Sequence, residues 1–337
     1  MMATPAFSTA ASESLAETNF AARRRLGISG YVACFKGIVW REILRYLHQR
    51  ERFLSALVRP LIWLFIFAAG FRQTLGVSII PPYETYVLYE EFIAPGLIAM
   101  ILLFNAMQSS LSMVYDRETG TMRTLLVSPF PRSFLLLSKL LGGVSVALLQ
   151  AFAFLFVAYW WGIQPPPITE VKLFTFFDPP SWAGNVIPAM GDPIVYTLFS
   201  VPDFLQPALG YIAVIPAIVL GGLMLGALAL FISSVIKQLE NFAGVMNFVI
   251  FPMFFASSAL YPLWRIREAS PLLYEICRLN PFTYAVELVR FALYGQIDTI
   301  SLAVVVACTV IFLGAAVFAY NPSKGLIARR GGPGGPA

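Results

Sequence analysis

Val114-Tyr-Asp-Arg-Glu-Thr-Gly-Thr-Met-Arg-Thr-Leu-Leu-Val-Ser-Pro-Phe-Pro-Arg-Ser-Phe-Leu-Leu-Leu-Ser-Lys139 joins two apolar runs, 92–114 and 134–161. Each run reaches the ~20 residues that a helix needs to cross a bilayer, so the charged stretch is a connection on one side of a membrane. The triplet Asp116, Arg117, Glu118 leads through Gly120 into one or two amphipathic turns. Ser128-Pro129 and Pro131 then stop that segment. A short charged helix between two spans is a handle that a soluble partner can hold.

Working outward, 58% of the residues are hydrophobic, 12% are charged, and mean hydropathy is +0.75. A soluble domain carries roughly 25% charged residues. The expected fold class is therefore an all-α polytopic membrane protein. Apolar runs at about 53–72, 92–114, 134–161, 208–236, 242–262 and 301–320 predict six transmembrane helices. Arg59 and Pro60 sit near the start of the first. An arginine there snorkels to the headgroups, and proline is tolerated in a spanning helix.

The distribution of Lys and Arg sets the orientation. With the N-terminus inside, all but six of the 23 basic residues fall on cytoplasmic segments; the six are Arg72, Lys172, Arg265, Arg267, Arg278 and Arg290. The positive-inside rule thus places both termini and the handle in the cytoplasm, and the expected location is the cell inner (plasma) membrane, as a multi-pass protein. The same asymmetry accounts for a pI of 9.1 without any nucleic-acid partner.

Residues 28–320 read as one membrane domain between two cytoplasmic tails, 1–27 (disordered) and 321–337. No apolar core precedes Arg23-Arg24-Arg25, so the first tail does not read as a secretory signal. Residues 28–52 alternate Val32, Phe35, Val39, Ile43, Tyr46 and Leu47 with Lys36, Arg41 and Arg45 at helical spacing. They predict an N-terminal amphipathic helix lying in the cytoplasmic interface. It is an anchor, and it lies on the side where a partner would hold the handle.

Residues 263–300 hold eight charged side chains, each costing about 2.5–3.5 kcal/mol at a span centre, so a seventh span is not expected. Ser270-Pro271 and Asn280-Pro281 each place a capping side chain before a proline, and Gly295 can end the segment. Two short re-entrant outer half-helices between spans five and six are predicted, with Glu287 and Arg290 paired across helices or facing water. The proline- and aromatic-rich extracytoplasmic loop 162–207 is too long for a plain connector. It reads either as an irregular cap on the outer surface or as a docking face for an extracytoplasmic partner.

Several chemistries lack material. There is no phosphate-binding G-x-x-x-x-G-K-[ST] loop, no H-E-x-x-H and no G-x-S-x-G. Cys34, Cys277 and Cys308 are scattered and His48 stands alone, so neither a metal site nor catalytic residues are expected. The spans carry uncharged polar residues instead. Asn105, Gln108 and Ser109 in the second and Asn247, Ser257 and Ser258 in the fifth either bond helix to helix or line a translocation route. Gly222 and Gly226 form a small-x-x-x-small pair suited to close helix contact.

Taken together, these residues resemble the ABC-2 type export permeases, the membrane subunits of ATP-driven exporters. Asp116-Arg117-Glu118, Gly120-Thr121, Leu125-Leu126, Ser128-Pro129, Arg132 and Lys139 match the family's handle in order. The segment from Leu279-Asn280-Pro281 to Gly295 looks like its last half-helix. Phe251-Pro252 through Tyr261-Pro262-Leu263 resembles the end of its fifth span, and Trp40-Arg41-Glu42 down to Pro60 its interface helix and first span. The 162–207 loop is longer than the connection usual there.

The resemblance implies a non-enzymatic permease, present as two copies or paired with a close relative, seated on two cytoplasmic ATPase subunits that hold the ATP and Mg. The coupling residues would be Asp116, Arg117, Glu118, Gly120, Thr121, Arg123, Leu125, Leu126 and Pro129. A rigid charged helix on a short tether is a lever, and Gly120 permits its bend. A stand-alone channel or ion-coupled carrier is the rival reading, and a membrane-embedded enzyme is a third. The residues do not name the cargo.

Overall fold

A computed structural model describes residues 27–48, 50–71, 82–83, 86–118, 130–175, 194–236 and 238–319. Five helices and two strands lead into the second half: α1 (Ile28–His48), α2 (Arg50–Phe71), α3 (Tyr89–Glu118), α4 (Arg132–Trp160), β1 (Glu170–Thr175), β2 (Ile194–Ser200) and α5 (Gln206–Val235). Then come α6 (Leu239–Phe255), α7 (Leu263–Ala269), α8 (Pro271–Leu279), α9 (Pro281–Leu293), β3 (Gln296–Asp298) and α10 (Thr299–Ala319). The tails, the handle from 119 to 129 and loop residues 176–193 lie outside the described residues.

Helix α3 is the centre. Ile93, Leu97, Ile98, Leu103 and Met107 are fully buried, because α2, α4, α5, α6 and α9 all lean on it. Gly96 lets the turn after α6 approach: a Cβ there would stand 2.6 Å from the Ala259 carbonyl oxygen. Across the bundle, Gly222 and Gly226 of α5 face Val144 and Leu140 of α4, which is the close contact their spacing predicts. Prolines 60, 95, 216 and 252 all sit inside helices.

Among the described residues four helices, α3, α4, α5 and α10, are long and apolar enough to cross a membrane. Helices also form over the first and fifth expected spans, with shorter apolar stretches, Ala56–Phe67 and Gly244–Phe255. The fifth stops at Phe255 rather than 262. Ser257 accounts for the stop: its hydroxyl donates to the Phe254 carbonyl at 2.6 Å and accepts from Ala259 N, closing a turn in place of the next helical bonds.

The expectation of a purely α fold needs correction. Part of the 162–207 loop forms two strands, which join β3 in a three-stranded sheet of order β2-β1-β3. β1 pairs with β2 antiparallel and with β3 parallel, matching Lys172 with Gln296 and Phe174 with Asp298. So the loop is not wholly irregular. Val171 and Phe174 turn inward, and Gly295, at φ +67°, makes the sharp turn from α9 into β3.

Residues 263–300 form three short helices rather than two. Both predicted caps are present: Ser270 Oγ accepts from Leu273 N, and Asn280 Oδ1 accepts from Phe282 N at 3.0 Å. Leu263–Ala269 is the helix that the sequence pattern hid, because no capping side chain precedes it.

Candidate functional site

The bundle has two polar ends. At the sheet end, α9 lies buried against α3, α5 and α10. Asn280 ties its start to the end of α6, donating to the Met253 and Ala256 carbonyls, both at 2.7 Å. Arg290, only 3% exposed, pairs with Glu287 one turn earlier and donates to the Ser258 carbonyl at 2.8 Å. Its guanidinium lies 4.2 Å above the centre of the Phe92 ring. The expected pairing of this charge across helices is therefore replaced by one within α9, because residues three apart share a face; the Ser258 contact supplies the bridge to the neighbouring segment.

Asp298 caps α10, accepting from Ile300 N at 3.2 Å and Ser301 N at 3.1 Å. Burial pushes its carboxyl above the usual carboxylate range, although those bonds pull the other way.

The handle lies at the opposite end. At 30 residues α3 is about 45 Å long, longer than the ~30 Å hydrocarbon layer. It stays helical through Asp116, Arg117 and Glu118. The triplet is thus a continuation of a helix that is largely buried over its described length. Of the other expected coupling residues, Gly120, Thr121, Arg123, Leu125, Leu126 and Pro129 lie outside the described residues. Where the chain re-enters the bundle, Tyr31 of α1 meets the rings of Phe130 and Phe134 edge-on, with centroids at 5.2 and 5.0 Å. The N-terminal helix is therefore fastened to the far side of the handle. Trp40, Val32 and Ile28 remain exposed on it.

Between these ends, α1, α3 and α4 enclose an open cleft of about 390 Å³. Asn105, Gln108, Ser109 and Ser112 line it from α3, Glu42 and Arg45 from α1, and Gly143 from α4. Asn105 and Gln108 also face a smaller hollow with Arg59 of α2 and Gln150 of α4. The structure thus brings together three of the six residues expected on a translocation route. The other three stand apart. Ser257 and Ser258 are buried in the turn after α6, and Asn247 is exposed on α6. Glu42 and Arg45 were missed as cleft residues, and Gln150 as a residue of the adjoining hollow. Their signal was polarity on a helix face, which does not say which neighbour that face meets. Among the described residues no cluster of His, Cys, Asp and Glu could hold a metal ion.

Residues 52–319 match the family model of the ABC-2 family transporter protein. The chain belongs to that family. A relative in Cyanophora paradoxa, named as a transport permease (ycf38), is 27% identical over 243 residues, covering 71% of this chain and 66% of the relative. The Porphyra purpurea protein of that name is 22% identical over 267 residues, 78% and 74% of the two chains. A protein of Escherichia coli named as a multidrug ABC transporter permease (YbhR) is 36% identical over 95 residues, 28% of this chain and 26% of that one. This ABC-2 chain is accordingly a multi-pass membrane permease component.

Proposed function

We propose that this chain is the membrane subunit of an ATP-driven exporter of the plasma membrane. Two copies, or this chain and a close relative, pair in the bilayer and sit on two cytoplasmic ATPase subunits that bind ATP and Mg. Six spans cross the membrane with both termini inside, and α8 and α9 re-enter from the outer side. ATP-driven closure of the ATPases presses on the handle, and α3 carries that displacement into the bundle.

The observation that carries this reading is the continuity of α3 from Ile93 in the core to Glu118 in the handle. A helix has no hinge unless a residue supplies one, and the prolines nearest the handle in the four long helices lie well away from it. A push at Glu118 is therefore carried along unbroken helix towards Gln108 and Asn105. The positive-inside charge pattern supports the orientation, and the polar cleft supports a route through the domain.

The decisive test replaces Glu118 and Arg123 with alanine in the intact complex. Co-purification with the ATPase and substrate-stimulated ATP turnover are both expected to fall. Wild-type values for both would remove the handle from the coupling path. The rival reading, an ion-coupled carrier, instead requires gradient-driven flux through vesicles holding this chain alone.

A further inference from the structure

The cleft has two facing walls, and the handle is joined to both. At its entry the handle continues α3 through Asp116, Arg117 and Glu118, and α3 supplies the wall of Asn105, Gln108, Ser109 and Ser112. At its exit the chain returns through Phe130 and Pro131 into the first turn of α4, which holds Phe134. There it meets α1, which supplies the opposite wall through Glu42, Arg45 and Tyr46.

The two joints differ in kind. The first is covalent. The second is made by packing, and Tyr31 is at its centre: its ring stands edge-on to Phe130 and Phe134, with interplanar angles of 77° and 85°. Those two rings are themselves 5.7 Å apart. All three pairs thus fall in the range of roughly 4.5–7 Å over which aromatic rings attract one another.

Farther along, α1 lies against α4 at Gly142. A Cβ at Gly142 would stand 3.1 Å from Glu42 Cγ and 3.7 Å from Val39 Cα, so α1 rests there on bare α4 backbone. No side chain of Gly142 interlocks with it, and α1 is free to shift along its neighbour at that point. The aromatic triad is what ties α1 to the chain's return. From Tyr31 to Glu42 the helix is continuous and holds no proline, so it spans about 16 Å as one piece. On its other side Val32 and Trp40 are exposed, where an interfacial helix meets headgroups and not packed protein.

We infer that Tyr31 is a positioning residue for transport. By gripping the exit of the handle it makes α1 follow the handle, so that pressure on the handle brings α1 towards α3 and narrows the cleft. This rests on the permease reading above and adds to it a second path of motion, through Tyr31 as well as through α3.

The test uses the intact complex with its ATPase, in a parent chain carrying Cys34→Ser, Cys277→Ser and Cys308→Ser, with Ser112→Cys as the reporter on the cleft wall. Labelling by a water-soluble maleimide is timed with and without a poorly hydrolysed ATP analogue. In the parent the analogue should slow labelling about tenfold, as for a cleft that passes from nearly always open to open about one-tenth of the time. Tyr31→Ala should bring the two rates to within about twofold of each other. Tyr31→Phe keeps the ring and should keep the parent's response. So should Val310→Ala, on the exposed side of α10.

A purely structural role for Tyr31 would lower the thermal midpoint and leave the ratio of the two rates unchanged, which overturns the proposal. Equal loss of the response in Tyr31→Ala and Tyr31→Phe would do the same, because the ring contacts would then not be the joint. Failure of the Tyr31→Ala chain to co-purify with the ATPase would make α1 part of the docking surface instead. A parent whose labelling ignores the nucleotide, while Glu118-dependent ATP turnover persists, refutes the moving wall and leaves the permease reading standing. That reading falls only if the parent shows neither co-purification nor stimulated turnover.

Discussion

Removing the Asn280 side chain should loosen the corner between α8 and α9 more than any other single truncation outside the core. It makes three bonds at once. Oδ1 caps α9 through Phe282 N, while Nδ2 clamps the Met253 and Ala256 carbonyls of the preceding long helix. Loss of a cap costs about 1 kcal/mol, and each of two part-buried bonds about 1 kcal/mol more. Asn280→Ala should therefore destabilise the corner by about 3 kcal/mol, and Asn280→Ser, which retains a capping oxygen, by about 2 kcal/mol.

Cys277, 0% exposed and one turn before Asn280, reports on this directly. In a Cys34→Ser, Cys308→Ser background, a thiol reagent reaches it only when the corner opens, so labelling follows the opening equilibrium. The rate should rise about 100-fold in Asn280→Ala and about 30-fold in Asn280→Ser. Equal rates in all three proteins would show that the bonds contribute nothing net. Equal large rises in both variants would remove the cap from the account.

Gly96→Ala pushes a Cβ to within 2.8 Å of Ala259 backbone atoms that cannot rotate away; it should destabilise by about 1–3 kcal/mol, read as a lower thermal midpoint. Gly244→Ala, with nothing within 4 Å, should instead be neutral or stabilise by up to about 1 kcal/mol. Arg290→Met, which strands Glu287 in the interior, should cost about 3–5 kcal/mol, and the further change Glu287→Leu should recover much of it in a double-mutant cycle. Asp298 has a folded carboxyl raised above the ordinary value of 3.8. The folded state thus holds the proton more tightly, and stability falls as pH rises through that raised value. Asp298→Asn keeps one of the two cap bonds and lacks that loss, so the thermal midpoints should shift in favour of the variant as pH rises towards neutral.

Local chemistry alone settled much of this protein. Six apolar runs are helices because an unbroken hydrocarbon surface has only a helix in which to hide its peptide groups from lipid. Ser270-Pro271 and Asn280-Pro281 begin helices because cap and proline act on their own backbone within three residues. Tertiary structure decided the rest, where the partners are distant in sequence. β1 meets β3 across more than 120 residues, Arg290 finds the Ser258 carbonyl on another segment, and Gln150 comes to share a hollow with Arg59. Periodicity tells which residues share a helix face, and only packing tells what that face meets.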